Sequence, residues 1–151
     1  MLLGFLVYVV VFLGSLVGAC ALLGYGCGQL SGKRDALRGA AALAGAVAAA
    51  LYAWGLLGVA GAVLTAEDGG TGSSPVIPCR TGDMGRDAHI VDYTVRYVPL
   101  GFVCETSDGR GSYATDDVPG YVNPGAALFG LSAVVGAVGV GYRGELRARR
   151  A

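Results

Sequence analysis

Apolar and polar positions alternate in blocks along this chain, and the blocks are longer than a soluble domain uses. Residues 1–32, 39–66 and 118–142 contain no Asp, Glu, Lys or Arg, and all 22 charged side chains lie between or beyond them. About 20 apolar residues suffice for a helix to cross a hydrocarbon core about 30 Å thick. The pattern predicts three transmembrane helices: 1–30, 39–66 and 123–142. A loop at 31–38, a long polar segment at 67–122 and a tail at 143–151 complete the division. The Gly-rich end of the first run (Gly24, Gly26, Gly28) is expected to fray. Asn123 and Pro124 supply the start of the third helix, as cap and first helical residue.

A different period appears inside the polar segment. In Ile90–Val98, the odd positions Val91, Tyr93, Val95 and Tyr97 are apolar and Asp92, Thr94 and Arg96 are polar. Period two marks a strand with one buried face, here the odd one. Pro99-Leu100-Gly101 turns the chain into a second strand, 102–106. The run 107–111 is a tight-turn signal, and 112–115 can return as a short third strand. Residues 67–78, rich in Gly, Ser and Pro, form a strap leading into the unit, and 80–89 reads as a loop. The fold class is therefore a mainly α membrane protein, three transmembrane helices with a small antiparallel β ectodomain between helices 2 and 3.

Composition agrees with this class: 54% of residues are apolar and 15% charged, and mean hydropathy is +0.57. The zero net charge hides an asymmetry. Lys33, Arg34 and Arg38 outnumber Asp35 in the first loop. Arg143, Arg147, Arg149 and Arg150 outnumber Glu145 after the third run. The segment 67–122 holds nine acids and four arginines, a net of −5. Short basic loops stay in the cytoplasm, so the chain is expected in the plasma membrane, N-terminus outside, 67–122 outside and C-terminus cytoplasmic. A secretory leader would have a basic start and a shorter apolar run, so the first run reads as a retained helix. The basic ends suit anionic lipid rather than nucleic acid.

With that orientation the membrane separates Cys79 and Cys104 from Cys20 and Cys27. A Cys79–Cys104 disulfide follows, in an oxidising compartment. Closing its loop of about 26 residues is worth roughly 3.5 kcal/mol in the chain-entropy account.

The succession of a cysteine, an amphipathic strand, Pro99-Leu100-Gly101-Phe102-Val103-Cys104, a Gly-containing turn and Pro119-Gly120-Tyr121 before the last span resembles small integral membrane proteins of high-GC bacteria with an extracytoplasmic two-cysteine loop. The resemblance covers about 79–142. It implies the same fold and brings no activity or catalytic residue with it.

Chemistry-bearing residues are sparse. His89 with Cys79, Cys104 and Asp87 or Asp92 lacks the short ligand pairs of a zinc clamp. The external acids do not follow calcium-loop spacing. Cys20 and Cys27, seven apart on one helical face, read as buried small hydrophobes rather than a thiol relay. No ionisable residue lies within a span, which argues against a transporter acting alone. No catalytic residue, cofactor or metal is expected. The positive signal is small residues at helical spacing: Gly14/Gly18, Ala41/Gly45, Gly55/Gly58/Gly61 and Ala133/Ala137/Gly141, which permit close helix approach. Tyr52 and Trp54, mid-span, are expected to face protein. These features describe a non-enzymatic accessory or interaction protein of the cell envelope, its partners the bilayer and a membrane protein or second copy. A membrane thiol-disulfide oxidoreductase and a ligand-sensing ectodomain are the alternatives.

Overall fold

A computed structural model describes residues 2–32, 35–68, 76–82, 87, 89–107 and 112–150. Three long helices are present: α1 (Leu2–Ser31), α2 (Ala36–Glu67) and α3 (Val122–Arg150). Each is long and apolar enough to cross a membrane. Between α2 and α3 lie a 3-10 turn (Ile77–Cys79) and three strands, β1 (Ile90–Tyr97), β2 (Leu100–Thr106) and β3 (Tyr113–Ala114). The strands form one antiparallel sheet in the order β1-β2-β3. The loop residues 83–86 and 88, most of the strap (69–75) and the turn residues 108–111 lie outside the described residues.

Three hydroxyls within the apolar helices are satisfied without a second helix. Ser15, Thr65 and Ser132 each donate to the carbonyl four residues earlier, Val11, Gly61 and Leu128, at 2.7–2.8 Å. This back-bonding lets a polar residue sit in an apolar helix without an orphaned donor.

The chain divides into two compact units, 1–53 with 124–151, and 54–123. In the first, α2 packs against both other helices through small residues. Gly26 and Gly39 face each other across the α1–α2 hairpin. A Cβ on Gly26 would lie 3.1 Å from Gly39 O, and one on Gly39 would lie 3.2 Å from Gly26 O. The Gly-rich end of α1 is helical through Ser31 rather than frayed: of Gly24, Gly26 and Gly28, it is Gly26 that permits the close backbone approach, and packing there offsets the weak helix propensity of glycine. Against α3, Gly45 meets Ala133, and Gly136 meets Ala41. Asp35 caps α2, its carboxylate accepting from Arg38 N–H at 3.4 Å and pairing with Arg38 Nε at 3.3 Å.

The second unit is the sheet with the last turns of α2. Ala62, Cys79, Ile90, Phe102 and Cys104 form its core, with Val63, Ala66, Val76, Tyr93 and Tyr113 packed around them. Gly55 and Gly58 let the chain cross α2 closely. A Cβ on Gly55 would lie 2.7 Å from Leu100 Cδ2 and 2.8 Å from Val122 Cγ1, and one on Gly58 would strike the Asp117 carbonyl oxygen.

Several expectations change in the folded chain. The buried face of β1 begins at Ile90, not Val91, which is 62% exposed. Ile90 pairs with Thr106 and Asp92 with Glu105, so two residues of β1 oppose one step of β2. This bulge makes Val91 the extra residue and restores the inward parity at Tyr93, Val95 and Tyr97. β2 starts at Leu100, because the turn is only Val98-Pro99, joined by a cis peptide bond. Trp54 is 56% exposed and turns away from protein, whereas Tyr52 is half-buried. Helix α3 starts at Val122, which places Pro124 third; the orphaned N–H groups of a first turn tolerate it there. Asn123 is then inside the helix, and its side chain is used elsewhere.

Candidate functional site

The disulfide is the centre of the second unit. Cys79 ends a 3-10 turn fixed by Cys79 N–H to Val76 O at 2.9 Å and Arg80 N–H to Ile77 O at 3.2 Å. Cys104 is mid-strand in β2, opposite Tyr93 on one side and Tyr113 on the other. The two Cα atoms are 5.9 Å apart, an ordinary disulfide separation. Both cysteines are enclosed, at 1% and 0% exposure.

Two tyrosines flank this bridge and tie it to neighbouring chain. Tyr113 donates its hydroxyl proton to the Cys79 carbonyl at 2.5 Å. Tyr93 stacks on Phe102, ring centres 4.7 Å apart, and donates to the Glu67 carboxylate at the end of α2. Partial burial, the bond to Glu67 and the nearby charges of Glu67 and Asp92 push the Tyr93 phenol up to about 12. Its proton is thus held well above the ordinary tyrosine range.

The edge of β2 away from β1 is completed in two ways. β3 covers Val103 and Cys104, and Thr115 N–H reaches Phe102 O at 2.9 Å. Beyond that point, Asn123 takes over. Its Oδ1 accepts from Leu100 N–H at 2.9 Å, and its Nδ2 donates to Leu100 O at 2.8 Å. A side-chain amide has the donor and acceptor of a peptide group, so the half-buried Asn123 substitutes for a residue of a missing strand beside Leu100, which is buried.

The acids of the segment between α2 and α3 divide by role. Asp87 accepts from the Thr81 backbone and hydroxyl at 2.8 and 2.7 Å and from Gly82 N–H at 3.3 Å; these bonds hold its carboxyl below the usual range. Glu105 accepts from Thr94, and Asp117 from Thr115. His89 uses its carbonyl to receive Ser107 N–H at 2.9 Å, extending the hairpin. Among the described residues no group of three His, Cys, Asp or Glu side chains converges as a metal site.

The small residues proposed for helix packing have different surroundings. Gly45 lies beside Leu22 and Ala133, while at Gly14, Gly18, Gly61 and Gly141 nothing among the described residues, beyond the helix's own neighbouring backbone, comes within 4 Å of where a Cβ would stand. Ala133 and Ala137 line a cavity of about 530 Å³ together with Leu22, Gly45, Val140 and Arg38. That cavity was not legible as such, although the Ala41/Gly45 and Ala133/Ala137 spacings gave two of its walls. Cys20 and Cys27 are free and exposed on α1, not buried. The face of α1 that packs runs through Leu22, Gly26 and Leu30 at steps of four, and the 100° advance per residue places both cysteines well to the side of it.

No protein-family model, curated protein or solved structure matches this sequence. The class of protein therefore rests on the fold: three apolar helices fitting a multi-pass membrane protein, with a disulfide-bonded antiparallel sheet between the second and third.

Proposed function

We propose that this chain is a three-span, non-enzymatic accessory subunit of the cell envelope, whose outer face is the disulfide-bonded sheet and whose apolar helices dock against a membrane protein or a second copy. The observation that carries this reading is the Gly14/Gly18 pair. It lies on an apolar helix, and among the described residues nothing beyond the helix's own neighbouring backbone comes within 4 Å of either missing Cβ, a spacing that serves close helix pairing in membranes. The excess of arginine and lysine in 31–38 and 143–151 supports an N-terminus outside and a C-terminus in the cytoplasm. Burial of both disulfide cysteines speaks for a structural bridge over the oxidoreductase alternative, since exchange requires attack on an accessible sulfur.

Extraction in mild detergent followed by native mass measurement tests the proposal. The expected result is a mass above that of one chain, reduced to one chain by the G14L/G18L double variant. A single chain under every extraction condition would overturn it. Orientation is read separately on a background with Cys20 and Cys27 replaced by Ala. Ser112→Cys is expected to react with an impermeant maleimide in intact cells, and Ala148→Cys only after permeabilisation.

A further inference from the structure

The β1–β2 hairpin stands alongside the last turns of α2, and its turn marks a definite level on that helix. Tyr93, towards the open end, bonds Glu67, and Phe102 and Cys104 pack with Ala62. Leu100, next to the turn, lies against Gly55, as does Val122 at the start of α3. The Val98-Pro99 turn therefore comes at or beyond the level of Gly55, on the side away from Glu67. Val98 there is 86% exposed.

Helix lengths set that level relative to a bilayer. Gly55 is 17 residues beyond Arg38, the last charge before the run 39–66, or about 26 Å along a helix. Val122 is 21 residues before Arg143, the first charge after the run 118–142, or about 32 Å. A hydrocarbon core is about 30 Å thick, and tilt shortens both spans. The turn thus falls at the boundary of acyl chains and headgroups, on the bilayer face opposite Arg38 and Arg143.

The chemistry of this level suits such a boundary. Trp54, beside Gly55 in the chain, is 56% exposed, and Tyr121, beside Val122, is 60% exposed; amphipathic rings settle at headgroup depth. No charged residue lies between Arg96 and Glu105, so the turn itself is apolar. Backbone groups away from water need internal partners. Pro99 has no N–H, and Asn123 satisfies both backbone groups of Leu100 at 2.9 and 2.8 Å. Arg96, exposed and opposite Gly101 one step up the hairpin, can extend its guanidinium to phosphate depth. We propose that Val98, Pro99, Trp54 and Tyr121 form a lipid-contacting surface, by which the disulfide-bonded sheet dips its turn into the leaflet instead of standing clear of it. The inference rests on the three-span reading and on no protein partner.

Fluorescence quenching of single labels tests this, on the full chain with Cys20 and Cys27 replaced by Ala, reconstituted in dioleoylphosphatidylcholine vesicles. Val98→Cys, Val91→Cys and Val135→Cys each carry a nitrobenzoxadiazole label, at the turn, at the far end of β1 and midway along α3, all exposed positions. The Val98 label is expected to be quenched by phosphatidylcholine with a nitroxide near the headgroup end of its acyl chain, and less by one with the nitroxide near the methyl end. Its quenching by aqueous iodide should be several-fold weaker than that of the Val91 label, roughly 23 Å away along the strand. The Val135 label should respond most to the methyl-end nitroxide; if it does not, the spanning reading fails and this inference with it. If Val135 responds so while iodide quenches Val98 as strongly as Val91, the inference alone is overturned. Resistance of the Val98 label to both nitroxides and iodide would also overturn it, since protein rather than lipid would then cover the turn.

Discussion

The side chain of Asn123 bonds both backbone groups of Leu100, accepting from its N–H at 2.9 Å and donating to its carbonyl at 2.8 Å. Leu100 opens β2 and Asn123 lies in the first turn of α3, 23 positions later, so one amide joins the hairpin to the residues that begin the last helix. Asn123→Ala leaves a buried N–H and a buried carbonyl without partners. It is expected to lower stability by about 2 kcal/mol. Asn123→Asp keeps the acceptor but sets a carboxylate against the Leu100 carbonyl, and should be at least as damaging. Equilibrium unfolding in detergent, with hydrogen exchange at the Leu100 amide, checks both.

Gly58 and Gly61 are one helical turn apart and should respond oppositely to the same change. A methyl at Gly58 falls on the Asp117 carbonyl oxygen, whereas at Gly61 nothing among the described residues beyond the helix's own backbone lies within 4 Å. Gly58→Ala should destabilise by about 1–3 kcal/mol through forced backbone displacement. Gly61→Ala should be neutral or slightly stabilising, since it only exchanges glycine for a better helix former. Thermal unfolding of the two variants side by side makes the comparison.

Removing the Cys79–Cys104 bridge by a Cys79→Ala/Cys104→Ala double substitution is expected to remove roughly 3.5 kcal/mol from the second unit. Limited proteolysis should then cut within 76–122 much faster than in the unaltered protein. In that unaltered protein both cysteines are enclosed. An impermeant reductant followed by alkylation should therefore leave them unmodified until the sheet is unfolded.

Tyr93 gives the sheet an alkaline limit. Its phenol is neutral and bonded to Glu67 in the folded state and titrates at about 12, against 10.0 ordinarily. Between these values the unfolded chain has released a proton that the folded chain retains. This contribution to stability is therefore complete below pH 10 and declines as pH rises towards 12. Ultraviolet titration of tyrosinate should show one late-ionising group, missing in Tyr93→Phe and shifted down in Glu67→Gln.

Much of the architecture was legible because it depends on patterns local to the chain. Charge-free runs of membrane length gave the three helices, and period-two alternation gave β1. The cysteine pair in the polar segment gave the bridge. Asp35 as the cap of α2 was also readable, an Asp immediately before a helical run, and was missed. The bulge at Val91 was not readable: Ile90 and Val91 are both apolar and either could begin the inward face, and only the pairing of Ile90 with Thr106 determines which residue is extra.

The sequence by itself determined what each stretch is, because hydrophobic length, period and charge act along the chain. Tertiary structure alone decided which of many small residues matter and how. Of 27 glycines, Gly26, Gly39, Gly55 and Gly58 stand where other backbone or side chains press in, while Gly14, Gly18 and Gly141 face open space. The same contacts turned Asn123 from a helix cap into a strand substitute and formed the cavity ending at Arg38. A missing side chain acquires meaning only from what occupies the space it leaves, and that is set by segments distant in sequence.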